Sequence, residues 1–147
     1  MKDRLKELMD SHKLMRIATL DESGFPNVRS VDFVCASESA IYFTTFKQTR
    51  KVKEIAKDNR VYFVIDREAN TIEELARVQY VRGRGKAFMV DTPEEMQESM
   101  GMLLGKYPFL KDLPGDPTMM NIYRVDIDTV ELTDNTKGFG HVDIIEF

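Results

Sequence analysis

The sequence predicts an α+β fold: a mainly antiparallel, six-stranded β-barrel with flanking helices. Three observations predict it. Six β-type runs and three helical patterns follow one another in the order α-β-β-β-α-β-β-α-β, which is not a regular βαβ repeat. The links between successive β-type runs are short, and short links favour antiparallel pairing. Helices scattered around such a sheet leave closure into a barrel as the way to hide its edges.

Each element has its own reason. Residues 2–12 read as an amphipathic helix, with Leu5, Leu8 and Met9 on one face. Leu14 to Leu20 is a strand, and Asp21 to Pro26 is turn chemistry in which Gly24 supplies a positive φ. Val28 to Ala36 and Ala40 to Thr45 are the next two strands. A helix over 49–58 is expected to bury Val52, Ile55 and Ala56. Val61 to Ile65 is a continuous apolar run, which predicts a central strand covered on both faces, and residues 67–73 read as a loop. Leu75 to Val90 reads as one long strand whose Gly83 and Gly85 suggest a bulge or a close backbone approach. Thr92-Pro93-Glu94-Glu95 is a helix start, with a cap, a proline at the first position and acids in the first turn. That helix runs to about Lys106, with Met96, Met100, Leu103 and Leu104 at helical spacing, a pattern of core or dimer contact. Pro108, Pro114 and Pro117 mark a loop before the last strand, Met119 to Leu132. The tail from Thr133 to Phe147 has no clear assignment.

Composition sets limits on function. A chain of 147 residues reads as a single domain, residues 1–147, large enough to bury a core without disulfides or metal. The net charge of −4 argues against a nucleic-acid partner, which calls for a broad cationic surface. One cysteine, Cys35, excludes an internal disulfide and suits a reducing, cytoplasmic setting. The charged start, Met1-Lys-Asp-Arg-Leu-Lys-Glu-Leu8, does not read as a signal peptide, and no apolar run approaches the length of a membrane span. His12 and His141 stand far apart with no ligand spacing around either, so no metal site is expected.

Against this acidic background, one basic cluster stands out. The stretch Phe43-Thr-Thr-Phe-Lys-Gln-Thr-Arg-Lys-Val-Lys-Glu-Ile55 passes from a strand into a helix that begins with Lys47, Arg50, Lys51 and Lys53. Cations are the unfavourable charge at a helix start, costing roughly 0.3–1 kcal/mol each when exposed. A bound anion explains them. Free N–H groups, the hydroxyls of Thr44, Thr45 and Thr49, and flexible cations together make a phosphate site. A solvated basic turn is the alternative. Alternation along the second strand puts Arg29, Val31, Phe33 and Cys35 on one face. An arginine on so apolar a face needs an anion, a protein carboxylate or a wet rim.

These residues carry a resemblance. Gly24-Phe-Pro-Asn-Val-Arg-Ser-Val31, Ile41-Tyr-Phe-Thr-Thr45, Thr49-Arg-Lys51 and Asn59-Arg-Val61, in this order and spacing, resemble the pyridoxamine 5'-phosphate oxidase-like family of FMN-binding split barrels. Val78-Gln-Tyr-Val-Arg-Gly-Arg-Gly-Lys-Ala87 is similar to that family's long fifth strand. The resemblance implies a six-stranded split β-barrel that binds FMN as a homodimer. It implies that Arg29, Ser30 and Val31 line the flavin and its phosphate. Phe43, Thr44 and Thr45 would meet the isoalloxazine and ribityl region, and Thr49, Arg50 and Lys51 the phosphate. Gln79 or Tyr80 would reach the flavin held mainly by the other subunit. The true oxidase ends in a segment with Trp and Arg, whereas this chain has no Trp and reads Gly140-His-Val-Asp-Ile-Ile-Glu-Phe147. The resemblance therefore points to the short flavin reductase, nitroimidazole-resistance and general-stress-type members, with a small-molecule acceptor. The alternatives are the same fold holding deazaflavin or haem, an FMN-binding electron carrier, and an empty barrel whose cations meet a protein partner.

Overall fold

The computed structural model describes residues 2–147. Helix α1 (Lys2–Asp10) leads into strands β1 (Leu14–Leu20), β2 (Pro26–Ser37) and β3 (Ala40–Phe46). Helix α2 (Arg50–Lys57), β4 (Arg60–Ile65), the single turn α3 (Ile72–Leu75) and β5 (Gln79–Met89) follow. Then come α4 (Pro93–Lys106), two 3-10 turns (Pro108–Asp112 and Pro117–Met119), β6 (Met120–Asp134) and β7 (Val142–Glu146). All strand pairings are antiparallel, in the order β3-β2-β1-β4-β5-β6-β7, and a further β3–β6 pairing closes the first six into a barrel.

Closure depends on β6. One edge of this strand pairs with β5 along Tyr123–Asp134. Its other edge pairs with β3 over Met120–Asp126 and then with β7 over Thr129–Thr133. The tail that the sequence leaves unassigned is thus an added seventh strand on the barrel's β6 edge.

Inward-facing residues fill the barrel: Met15 and Ile17 of β1, Phe33 and Cys35 of β2, Ile41 and Phe43 of β3, Phe63 and Ile65 of β4, all essentially fully buried. The α1 residues Leu5 and Met9 plug the end near Cys35, whose N–H donates to Asp10 Oδ1 at 2.8 Å. Ile55 of α2 plugs the opposite end. Helix α4 lies outside, over β2 and β3, where Leu103 and Tyr107 bury Val34, Tyr42, Val90 and Ile122. The Tyr107 hydroxyl accepts the Phe33 N–H at 3.1 Å and lies 2.6 and 2.7 Å from the carbonyls of Phe33 and Lys13.

Three local expectations change. On α2 the buried pair is Glu54 and Ile55, with Val52 half-buried and Ala56 exposed; a charged residue has taken the place of an apolar one because a polar network receives it. Strand β4 alternates rather than lying covered on both faces, and Tyr62 is 41% exposed on its outer side. Residues Leu75 to Val78 are not strand. Thr71 caps α3 by accepting the Glu74 N–H at 3.1 Å, and the chain turns before β5 begins at Gln79. No helix among the described residues is long and apolar enough to cross a membrane.

The β5 glycines sit where the sequence suggests a bulge or close approach. The β5–β6 register shifts between Arg84 and Gly85. A Cβ on Gly85 would stand 2.1 Å from the Asp126 carbonyl oxygen, which is backbone and unable to swing away. Gly85→Ala is expected to destabilise the fold by about 3 kcal/mol or more, read as a lowered urea midpoint.

Candidate functional site

Strands β2 and β3 part company. Their ladder runs from Ser37↔Ala40 to Phe33↔Phe43 and stops. Beyond that point β2 continues as Pro26–Asp32, paired with β1 alone, and β3 continues as Thr44–Phe46, paired with β6 alone. Two strand edges therefore face one another without a ladder between them, so backbone N–H and C=O groups on both lips lack strand partners. Arg29, Ser30 and Val31 lie on one lip, Thr44 and Thr45 on the other.

The start of α2 closes the mouth of this gap. The Lys47 N–H donates to the Met119 carbonyl at 2.8 Å, and the Thr49 N–H to the Phe46 carbonyl at 3.2 Å, which turns the chain from β3 into the helix. Thr49 is the N-cap residue, but its hydroxyl donates back to the Phe46 carbonyl at 3.0 Å and does not cap the helix. The Thr45 and Thr49 hydroxyls lie 3.3 Å apart. A helix start without a side-chain cap keeps first-turn N–H groups available to a ligand.

Three cations converge here. Arg29 Nη1 donates to Thr19 Oγ1 at 2.7 Å, and Arg29 Nη2 lies 3.7 Å from Glu54 Oε1. Burial lowers the Arg29 pKa; Glu54 opposes that shift and Arg50 adds to it. Burial also lowers the Lys51 pKa, and Arg29 lowers it further. Like charges close enough to depress one another favour an added anion. Lys51 has no hydrogen-bond or ion-pair partner among the described residues. Arg50 faces a surface cleft of about 360 Å³, but Asp21, Glu22 and Glu54 balance Arg50, Lys53 and Lys57 there.

Sequence reasoning leaves out the group that organises this site. Glu54 is 7% exposed; its Oε1 accepts from Asn27 Nδ2 at 2.7 Å and its Oε2 from Thr19 Oγ1 at 3.1 Å. The carboxylate anticipated for Arg29 is thus internal. The available signal is that Glu54 precedes Ile55 on the buried side of α2, one turn beyond Lys51.

The remaining site residues fall in different places. Phe43 is fully buried and stacks on Tyr123 with ring centroids 5.4 Å apart, so its side chain belongs to the core. Val31 and Thr45 point inward and are buried, whereas Ser30 is exposed on the outer face. The Thr44 hydroxyl donates to the Asn121 carbonyl at 3.0 Å. Gln79 and Tyr80 lie at the other end of the barrel, near α1, where Gln79 lines a small cleft with Asp134 and Arg4. One chain does not bring them to the α2 mouth.

Taken together, these features define a six-stranded split barrel with a cationic mouth. The chain belongs to the pyridoxamine 5'-phosphate oxidase family, whose model matches residues 1–134. A haem-binding protein from Mycobacterium smegmatis is similar in structure, with 18% identity and a TM-score of 0.80, over 97% of this chain and 56% of that one. ChuZ from Campylobacter jejuni is also similar, with 16% identity and a TM-score of 0.78, over 98% of this chain and 58% of that one. The present chain therefore spans little more than half of either. HutZ, the haem storage protein of Vibrio cholerae, matches with 17% identity and a TM-score of 0.70, over 86% of this chain and 89% of that one. No functionally curated protein matches the sequence.

Glu54→Leu would leave Arg29, Thr19 and Asn27 without their acceptor. It is expected to cost about 2–3 kcal/mol, below the full penalty for a buried pair because Arg29 keeps some solvent contact. Urea denaturation of the two proteins checks this.

Proposed function

We propose that this chain is an FMN-dependent oxidoreductase that passes electrons or hydride to a small-molecule acceptor, with the cofactor held between two copies of the chain. The observation that carries this reading is the parting of β2 and β3 beside an uncapped helix start with converging cations. Lys51, Arg50, Arg29 and the hydroxyls of Thr45 and Thr49 suit a phosphate. The unpaired edges of the gap, next to Thr44 and Ser30, suit the polar rim of a flavin ring. The flavin would supply the redox chemistry when bound, and the protein would supply position and charge.

A dimer is supported by the outer sheet. Cross-strand rows such as Val28–Ala18–Tyr62–Arg84 and Ser30–Arg16–Val64–Arg82 run across β2, β1, β4 and β5 on one face. Val28 is 69% exposed there, and Leu14, Tyr62 and Ile144 are also exposed. Such a face suits a second copy, and Tyr80 lies on it, able in a dimer to approach the partner's gap. A cytoplasmic setting fits the buried free thiol of Cys35.

Haem is the second reading, favoured by the structural similarity to the haem-binding protein of Mycobacterium smegmatis and the haem storage protein of Vibrio cholerae. His141 is the more exposed imidazole, with Nε2 3.0 Å from Asp143 Oδ1, whereas His12 is buried with Nδ1 2.8 Å from the Leu8 carbonyl.

Two outcomes test the flavin reading. Arg50→Ala with Lys51→Ala should weaken FMN about 100-fold or more in a fluorescence-quenching titration, since each charge-assisted contact counts about 1.5–3 kcal/mol; unchanged affinity would sink the phosphate assignment. The Lys51 ammonium binds the anion only while protonated. FMN affinity should therefore fall as pH rises through its lowered pKa, beginning below the ordinary lysine range. Lys51→Arg should remove that alkaline decline.

A further inference from the structure

A second cavity lies on the outer side of β3, against the Thr44–Phe46 lip of the gap. It measures about 280 Å³ and is walled by α4, the two 3-10 turns and the start of β6. Phe46, Met100, Leu104, Leu110, Leu113 and Met120 form its apolar lining together with two prolines. Phe46 and Leu113 are 45% and 42% exposed, so the cavity opens to solvent and is not a packing gap inside the core. An exposed apolar concavity of this kind marks a binding site more often than a defect.

Its polar groups are few and mostly committed. The Thr44 hydroxyl donates to the Asn121 carbonyl at 3.0 Å. Asp116, exposed at the rim, accepts the Thr118 N–H at 2.9 Å, and this bond, with Lys47 nearby, lowers its pKa. Lys111 is likewise exposed. Lys111 and Asp116 can meet a charge only at the rim, so a charged ligand group on the apolar floor, among Met100, Leu104 and Met120, would lose its hydration without a partner, which is costly. Thioethers at Met100 and Met120 with the Phe46 ring favour a polarizable, flat ligand. The volume suits one or two fused rings rather than a long chain.

We infer that this cavity binds an uncharged aromatic molecule of one or two rings. Its role as the electron acceptor's site rests on the flavin reading above; the binding itself does not. Thr44 and Thr45 stand side by side on β3 with side chains on opposite faces, so this cavity and the α2 mouth share one strand end. The Lys47 N–H bond to Met119 ties the β3–α2 link to the cavity's own wall.

Methyl NMR of the intact, flavin-free chain tests this, with methionine methyls labelled and 2-methoxynaphthalene as probe. Met100 and Met120 should shift saturably, while Met9 and Met15, fully buried in the barrel, should not. Leu113→Lys should weaken the probe at least tenfold without moving the Met9 and Met15 signals. Naphthalene-2-sulfonate should bind at least tenfold more weakly than the neutral probe. Any of four results would overturn the inference: no saturable shift; shifts at Met9 and Met15 as well; a sulfonate that binds equally; or Met100 and Met120 signals that follow protein concentration instead of ligand. The last would mean that a second copy covers the cavity. Because no flavin is present, failure here leaves the cofactor reading standing, and the reverse also holds.

Discussion

The structure depends on one strand serving three neighbours. β6 pairs along one edge with β5, and along the other with β3 and then β7. A barrel without this strand would have two open edges, and open edges cost unsatisfied backbone groups. Because β6 takes up β3 through Phe46, β3 no longer needs β2 over its last residues. The two strands can then separate without leaving β3 unpaired on both sides. The gap that could seat a cofactor is therefore a consequence of how the barrel closes. Gly83 and Gly85 belong to the same requirement: β5 and β6 approach too closely there for a side chain.

The polar network at the α2 end solves a second problem. Arg29 projects from an apolar face, and Glu54 enters the same region from α2. Thr19 and Asn27 take up both carboxylate oxygens, so the network holds α2 across the barrel end. Glu54 serves Arg29, and the Lys51 ammonium is left without a carboxylate partner among the described residues. Selectivity would come from which groups are left over: Lys51, the uncapped first turn and the threonine hydroxyls.

Much of this was legible in the residues. The β-type runs between the Asp21–Pro26 turn and the short polar links located β1, β2 and β3 closely, because turn chemistry is local. The Thr92-Pro93-Glu94-Glu95 signature located α4, because capping is local chemistry. Glu54 was not legible, since a glutamate on a basic helix reads as solvated until Thr19, Asn27 and Arg29 come together from distant strands. β7 was hidden by the glycines before it, and its pairing with β6 is a tertiary choice. Tyr62 misled because an apolar run says nothing about whether its outer face meets solvent or another copy. At the site, Lys47, Arg50, Lys51 and Lys53 stand out by being the wrong charge for a helix start. The parting of β2 from β3 has no sequence mark, nor does the stacking of Phe43 on Tyr123; Phe43 enters the site only through the family resemblance.

The most direct measurement is the absorbance spectrum of the purified full chain, as isolated and after additions of FMN and, separately, haemin. A flavin spectrum that is present at isolation, or that appears shifted and saturates at one FMN per chain, is the result predicted here. A protein that leaves the FMN spectrum unchanged but gives a saturating haem Soret band would contradict the account and move the haem reading into its place.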